Sequence, residues 1–273
     1  MIASPPTLLP ESVARSGPRR GASGLRAYYL GLIALLYLPI ALLFVFSLNA
    51  STTFAFPLAG FTLDWYARVF RTPALLNAAL NSLLVATATA ITATLVATMV
   101  ALLIARFRFR AKPLLIGLAV LPLIVPFIVL AVALLVLFRA IGIELSLVTV
   151  WIAHSVVALP YALLIVLSRL TGFDPSLEEA AMDLGATYPT VIRLVVLPII
   201  GPAMVSAALT SFTVSFDEFA LALFLAGKNP TFPVYLFGQL RFTNTLPVMI
   251  AMAVVLMVVS LAVVAIAERV RRL

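Results

Sequence analysis

Apolar residues run along this chain in long blocks, and the intervals between the blocks carry nearly all of its charge. A helix rises 1.5 Å per residue, so a block of about 20 residues matches the roughly 30 Å of a bilayer's hydrocarbon core. Six blocks can be read, at about 28–48, 80–104, 114–138, 147–167, 203–226 and 248–267. They predict an all-α polytopic membrane protein with six transmembrane helices. The first block follows several arginines, which is also the order of a secretory signal. It is longer than the roughly 7–15 apolar residues of a signal core, so a first span is expected, adjusted near Pro39. The third includes Pro122 and Pro126. In the second, Thr87, Thr89, Thr92, Thr94 and Thr98 alternate with alanines, which favours close helix–helix packing over lipid contact.

The intervals differ in character. Residues 1–27 are rich in proline, glycine and arginine without an apolar period, and a flexible cytoplasmic tail is expected there. Residues 49–78 hold Phe54, Phe56, Phe61, Trp65 and Tyr66, a density that suits the membrane–water boundary, with a short interfacial helix over 64–70. The sixth span runs into a short basic terminus at 268–273.

Composition sharpens the picture. Hydrophobic residues make up 64% of the 273 positions and charged residues 10%, too few charges to cover a soluble surface. The absence of cysteine excludes disulfides, thiolate metal sites and cysteine catalysis, and one histidine excludes a multi-histidine metal cluster within the chain. A net charge of +8 would suggest nucleic acid in a soluble protein, as would the alternation Arg106-Phe107-Arg108-Phe109-Arg110. Here the basic residues flank apolar spans, so orientation in the membrane explains them better and no nucleic-acid partner is expected. With the amino terminus inside, thirteen of the 18 basic residues fall in inner segments. That places both termini and the interval 168–200 in the cytoplasm.

That interval is the longest with polar character inside the membrane part. Asp174 suits an N-cap, Pro175 a first helical position, and Ser176 with Glu179 an overlapping capping box. Helix formers continue to Leu184, and Gly185 fits a left-handed helix stop. Thr187 and Pro189 can open a second short helix through Val196, with Pro198 and Pro202 punctuating the approach to the fifth span. On pattern alone, an amphipathic loop on the inner leaflet competes with a partner-binding element.

The phrase Glu179-Ala180-Ala181, three residues, Gly185, nine residues, Val195, one residue, Leu197-Pro198 resembles the EAA signature of ABC importer permeases of type I. Val195 stands where that family usually has isoleucine. The six-span layout extends the resemblance over about 25–270, with the signature between the fourth and fifth spans as in the family. The resemblance implies a coupling segment, 172–198, that docks on a separate nucleotide-binding ATPase. By motif position and neighbourhood the docking residues would be Glu178, Glu179, Ala180, Ala181, Asp183, Gly185, Ala186, Leu197 and Pro198. It further implies a second, homologous permease, two copies of the ATPase, a periplasmic binding protein and residence in a bacterial inner membrane. ATP and magnesium would be used by the ATPase, with no catalytic residue or cofactor in this chain. Neither Lys112 nor Lys228, the only lysines, ends a Gly-x4-Gly-Lys-Ser/Thr run, which is consistent with a motor on another polypeptide.

Asp217 and Glu218 fall within the fifth block, where charge is expensive and usually faces an aqueous path or a partner. Asp217 is expected roughly 21 Å along the span, past the midplane, with one of the two adjacent acids facing the path. Ser215 and His154 join them as path candidates, although a hydrogen-bonded core histidine is the simpler reading of His154. The run Ser215-Phe216-Asp217-Glu218-Phe219, with Pro233 and Arg241-Phe242, resembles the spermidine/putrescine branch and its C-type subunit. An acidic lining would offset the desolvation of several ammonium groups. Similar patterns occur in permeases for aminoethylphosphonate and other small solutes. An ion-coupled secondary transporter using Asp217 or Glu218 would leave the EAA-like segment unexplained. An intramembrane enzyme lacks a metal constellation or a nucleophile elbow.

Overall fold

The structure, a computed structural model, describes residues 21–271 apart from Phe54, with side chains left undescribed at 21–23, 263–268, 270 and 271. It is helical almost throughout: α1 (Gly21–Ser47), α2 (Asp64–Phe70), α3 (Pro73–Arg106), α4 (Lys112–Val120), α5 (Phe127–Ala140), α6 (Leu147–Thr171), α7 (Ser176–Asp183), α8 (Tyr188–Val191), α9 (Leu197–Asp217), α10 (Ala220–Leu225), α11 (Phe232–Gln239) and α12 (Leu246–Arg271). Of the expected tail, positions 1–20 lie outside the described residues, and α1 already begins at Gly21. At the other end, 272 and 273 lie outside them.

Among the described residues, four stretches are long and apolar enough to cross a bilayer: Gly24–Ser47, Pro73–Arg106, Leu147–Thr171 and Tyr188–Asp217. The expected third span is not one helix. It divides into α4 with a 3-10 turn, Leu121–Leu123, and α5, bent by 106°. Pro122 and Pro126 explain the break, because neither has an N–H for the helical ladder, although Leu121 before Pro122 keeps helical geometry. Pro126 itself sits at ψ 130, outside the helix it precedes. The expected sixth span falls on α12, where the stretch Leu246–Ala262 is apolar.

The core is a bundle of α3, α6 and α9. Along α3 the buried face carries Ala78, Ala79, Ser82, Ala86, Thr89, Ala90, Ala93, Thr94, Ala97, Thr98 and Ala101. Lipid tails are as apolar as the side chains, so helices in a membrane associate through close packing, and small residues permit it. The alanine–threonine alternation thus packs as expected. Thr92 adds a hydroxyl contact to Ser155 of α6 at 2.9 Å and accepts from Trp151 Nε1 at 3.2 Å. A second cluster joins α5, α6 and α10 through Ala131, Val150, Val157, Leu221 and Leu225. A third joins α2, α3, α11 and α12.

The short helix expected over 64–70 is present as α2, but Trp65 is buried against the third cluster instead of lying at a lipid boundary. Its Nε1 donates to the Asn49 carbonyl at 2.7 Å, which fastens α2 to the chain leaving α1. Phe56 and Phe61 remain exposed.

Candidate functional site: a helix–glycine–helix segment and a broken helix

The segment from Gly172 to Pro198 is built around one turn. Asp174 Oδ1 accepts the Ser176 N–H at 3.0 Å, so Asp174 caps α7 as its sequence suggests. That hydrogen bond holds the Asp174 carboxyl below the usual carboxylate value. The Ser176–Glu179 capping box does not form. At the other end, the Gly185 N–H donates to the Met182 carbonyl at 2.8 Å and the Ala186 N–H to the Ala181 carbonyl at 3.1 Å. This is the Schellman pattern, which needs a residue in the left-handed region at the turn, and Gly185 supplies it with φ +88°.

The two sides of the segment differ. Ala181, Ala186, Val195 and Leu197 pack on the α3–α6–α9 core. Glu179, Ala180, Asp183, Gly185 and Pro198 face outward. Leu177, Met182 and Leu184 share that exposure, and Leu184 is 90% exposed, an apolar knob at the tip of the turn. These three were not among the sequence candidates, although a leucine next to the helix-stopping glycine marks such a tip. Glu178 does the opposite of its neighbour. It is 5% exposed and accepts from Arg106 Nε, on the last residue of α3, at 2.7 Å.

The expected second short helix followed by a separate span is replaced by one continuous path. Chain from Tyr188 to Asp217 is helical without interruption, through α8, a π turn at Ile192–Val196 and α9. Pro198 does not punctuate it. Its ring cannot donate, and the widened turn, in which the Leu197 N–H reaches back to the Ile192 carbonyl, accommodates the lost bond. Pro202 likewise sits inside α9.

The intramembrane acids lie where α9 ends. The expected span does not continue to Ala226. Glu218 is extended, with ψ 119°, and α10 starts two residues later. The Glu218 carboxylate accepts the N–H groups of Ala220 at 3.0 Å and Leu221 at 2.8 Å, so it caps α10 while being buried itself. Its Oε2 lies 3.4 Å from His154 Nε2, and His154 Nδ1 is 2.8 Å from Ser215 Oγ on α9. His154, Ser215 and Glu218 therefore form one buried cluster that ties α6 to the α9–α10 break. Asp217, the adjacent acid, is exposed on the surface of the chain. The two carboxylates are separated by the end of the helix and not by rotation along it. Among the described residues no group of three or more His, Cys, Asp and Glu could hold a metal ion.

Comparison with known proteins concerns the chain as a whole. The family model described as "Binding-protein-dependent transport system inner membrane component" matches residues 93–273. The spermidine/putrescine transport system permease protein PotC of Haemophilus influenzae is 36% identical over 247 residues, covering 90% of this chain and 95% of that protein. The putrescine transport system permease protein PotI of Escherichia coli is 34% identical over 214 residues, 76% of each. Among solved structures, a chain of a bacterial ABC transporter involved in the import of alginate shares the fold with a TM-score of 0.73. It is 16% identical, and the match covers 92% of this chain and 99% of that one.

Proposed function

Because the chain belongs to the family of binding-protein-dependent inner-membrane transport components, the permeases of ABC importers, we propose that it forms half of the translocation path for a polyamine. It is a multi-pass inner-membrane protein. In this reading both termini and the 172–198 segment are cytoplasmic, and the segment docks on a nucleotide-binding ATPase that uses ATP and magnesium. A second permease, two copies of the ATPase and a periplasmic binding protein complete the importer.

One observation carries the coupling part. The segment has a side packed on the transmembrane core and a bare side of Glu179, Ala180, Leu184 and Gly185, outside any span. Small residues there allow close approach, Leu184 offers an apolar contact, and Glu179 can pair with a basic side chain on the partner. Glu178 drops out of the docking face because it is turned inward.

The cargo assignment is supported by the polyamine permeases among the relatives and by Asp217. Polyamines carry several ammonium groups, and a carboxylate along the path offsets the cost of stripping their water. The exposed Asp217, beside an unwound stretch of backbone, is the path acid in this reading; Glu218, His154 and Ser215 shape the break behind it. Uptake of labelled spermidine and putrescine by the complete importer in proteoliposomes tests the assignment. Saturable, ATP-dependent uptake that unlabelled polyamine suppresses supports it. Uptake of aminoethylphosphonate in preference to either polyamine would overturn it.

A further inference from the structure

We propose that Arg106 and Glu178 form a clamp that makes the coupling segment move as one body with α3, so that both are positioning residues for coupling. The inference rests on the reading that α7 docks on the ATPase.

Arg106 is the last residue of α3, 72 positions away from Glu178 in sequence. Its guanidinium donates through Nε to Glu178 Oε1 at 2.7 Å, and Nη2 lies in the same ion pair. The guanidinium also sits 5.5 Å from the centre of the Phe173 ring, just before α7. Next to it, Phe107 meets Tyr188, the first residue of α8, edge-on at 6.2 Å between centroids. The end of α3 thus grips the segment on both sides of the Gly185 turn. Among the described residues this is the only pairing of an arginine or lysine with a carboxylate.

The two adjacent glutamates divide the work. Neighbours on a helix point about 100° apart, so when Glu179 faces out, Glu178 can face the core. Both partners of the pair are largely withdrawn from solvent, with side-chain exposures of 16% and 7%. Separating them would leave a buried charge without compensation, which is strongly unfavourable. A pull on α7 therefore passes into α3 before it can open the loop at Gly172. Because α3 packs along α6 and α9, the pull reaches the three-helix core directly as well as through the covalent link from α8 to α9. Arg106 acts through Glu178, and neither needs to touch the ATPase.

The test uses the assembled importer in proteoliposomes, with substrate moved and ATP hydrolysed measured together. Because this chain has no cysteine, a single Ser176→Cys label at the exposed start of α7, carrying a photo-cross-linker and attached before assembly, reports docking on the ATPase. Arg106→Glu and Glu178→Arg are each expected to lower substrate moved per ATP by at least about tenfold while the cross-link persists. The double reversal is expected to recover most of the loss, since the pair re-forms with its charges exchanged. Single reversals that couple normally while the cross-link persists would overturn the clamp alone. So would a double reversal that inserts and assembles but couples no better than the worse single. A loss of membrane yield common to all three variants would show a merely structural pair and also overturn it. No cross-link in the parent pair would overturn the docking reading, and the clamp with it.

Discussion

Gly185 offers the sharpest perturbation, because its surroundings separate two causes that usually act together. A Cβ added at this position would meet nothing within 4 Å, so within this chain a substitution carries no steric cost. What remains is the backbone. At φ +88° an L-residue is disfavoured by about 1–2 kcal/mol relative to its ordinary conformations. That shifts the turn by roughly 5–30-fold toward competing arrangements, in which the Ala186 and Gly185 N–H groups lose their carbonyls. Gly185→Ala therefore reads the strain by itself. Gly185→Asn adds bulk but tolerates the left-handed region, and Gly185→Val combines strain with bulk on the docking side. In proteoliposomes holding the complete importer, substrate moved per ATP should fall in the order parent, Asn, Ala, Val, with membrane yield unchanged. Coupling by the valine variant equal to the parent's would refute the role of the turn. Asparagine as poor as valine, with alanine normal, would refute the backbone argument and assign the effect to close approach by the partner.

Three further outcomes are expected. Asp217→Asn should cut uptake by about tenfold or more while the complex still assembles, as checked by co-purification; full uptake would remove Asp217 from the path. Glu218→Ala leaves the Ala220 and Leu221 N–H groups without their acceptor and should cost about 1–2 kcal/mol, read as a lower melting temperature in detergent, with Glu218→Gln less affected. Gly227→Ala should destabilise by about 1–3 kcal/mol or more, because the new Cβ would press into the Leu145 carbonyl; an unchanged melting temperature would contradict the packing there.

Much of the architecture was legible in the residues, and the places where it was not share a cause. Apolar run length locates the long helices because a bilayer imposes it, and the alanine–threonine face of α3 announces its own packing. The turn at Gly185 is local, so its cap and its positive φ follow from a few consecutive residues. The Arg106–Glu178 pair is not local. Arg106 reads equally well as a membrane anchor until the fold brings α7 to the end of α3. The uninterrupted path from Tyr188 to Asp217 is hidden in the sequence because two prolines argue for a stop, and only the π turn shows how the ladder survives one of them. The break after Asp217 contains no proline or glycine. Its one local sign was an acid two and three residues ahead of the N–H groups it caps, a pattern easily read as a path charge. The 106° bend, by contrast, is signalled locally by Pro122 and Pro126.

The unbroken helix from Tyr188 to Asp217 has a mechanical consequence. Thirty residues make a shaft about 45 Å long, so tilting it by about 5° about its Tyr188 end sweeps the far tip sideways by about 4 Å. The tip carries an exposed carboxylate and ends in a joint that Ser215 and Glu218 tie to His154 of α6, so a swing there loads that buried cluster. Near the other end, the π turn at Ile192–Val196 is a place where the shaft can twist or shorten. Its compliance sets the gearing, the fraction of any push at Tyr188 that arrives at Asp217.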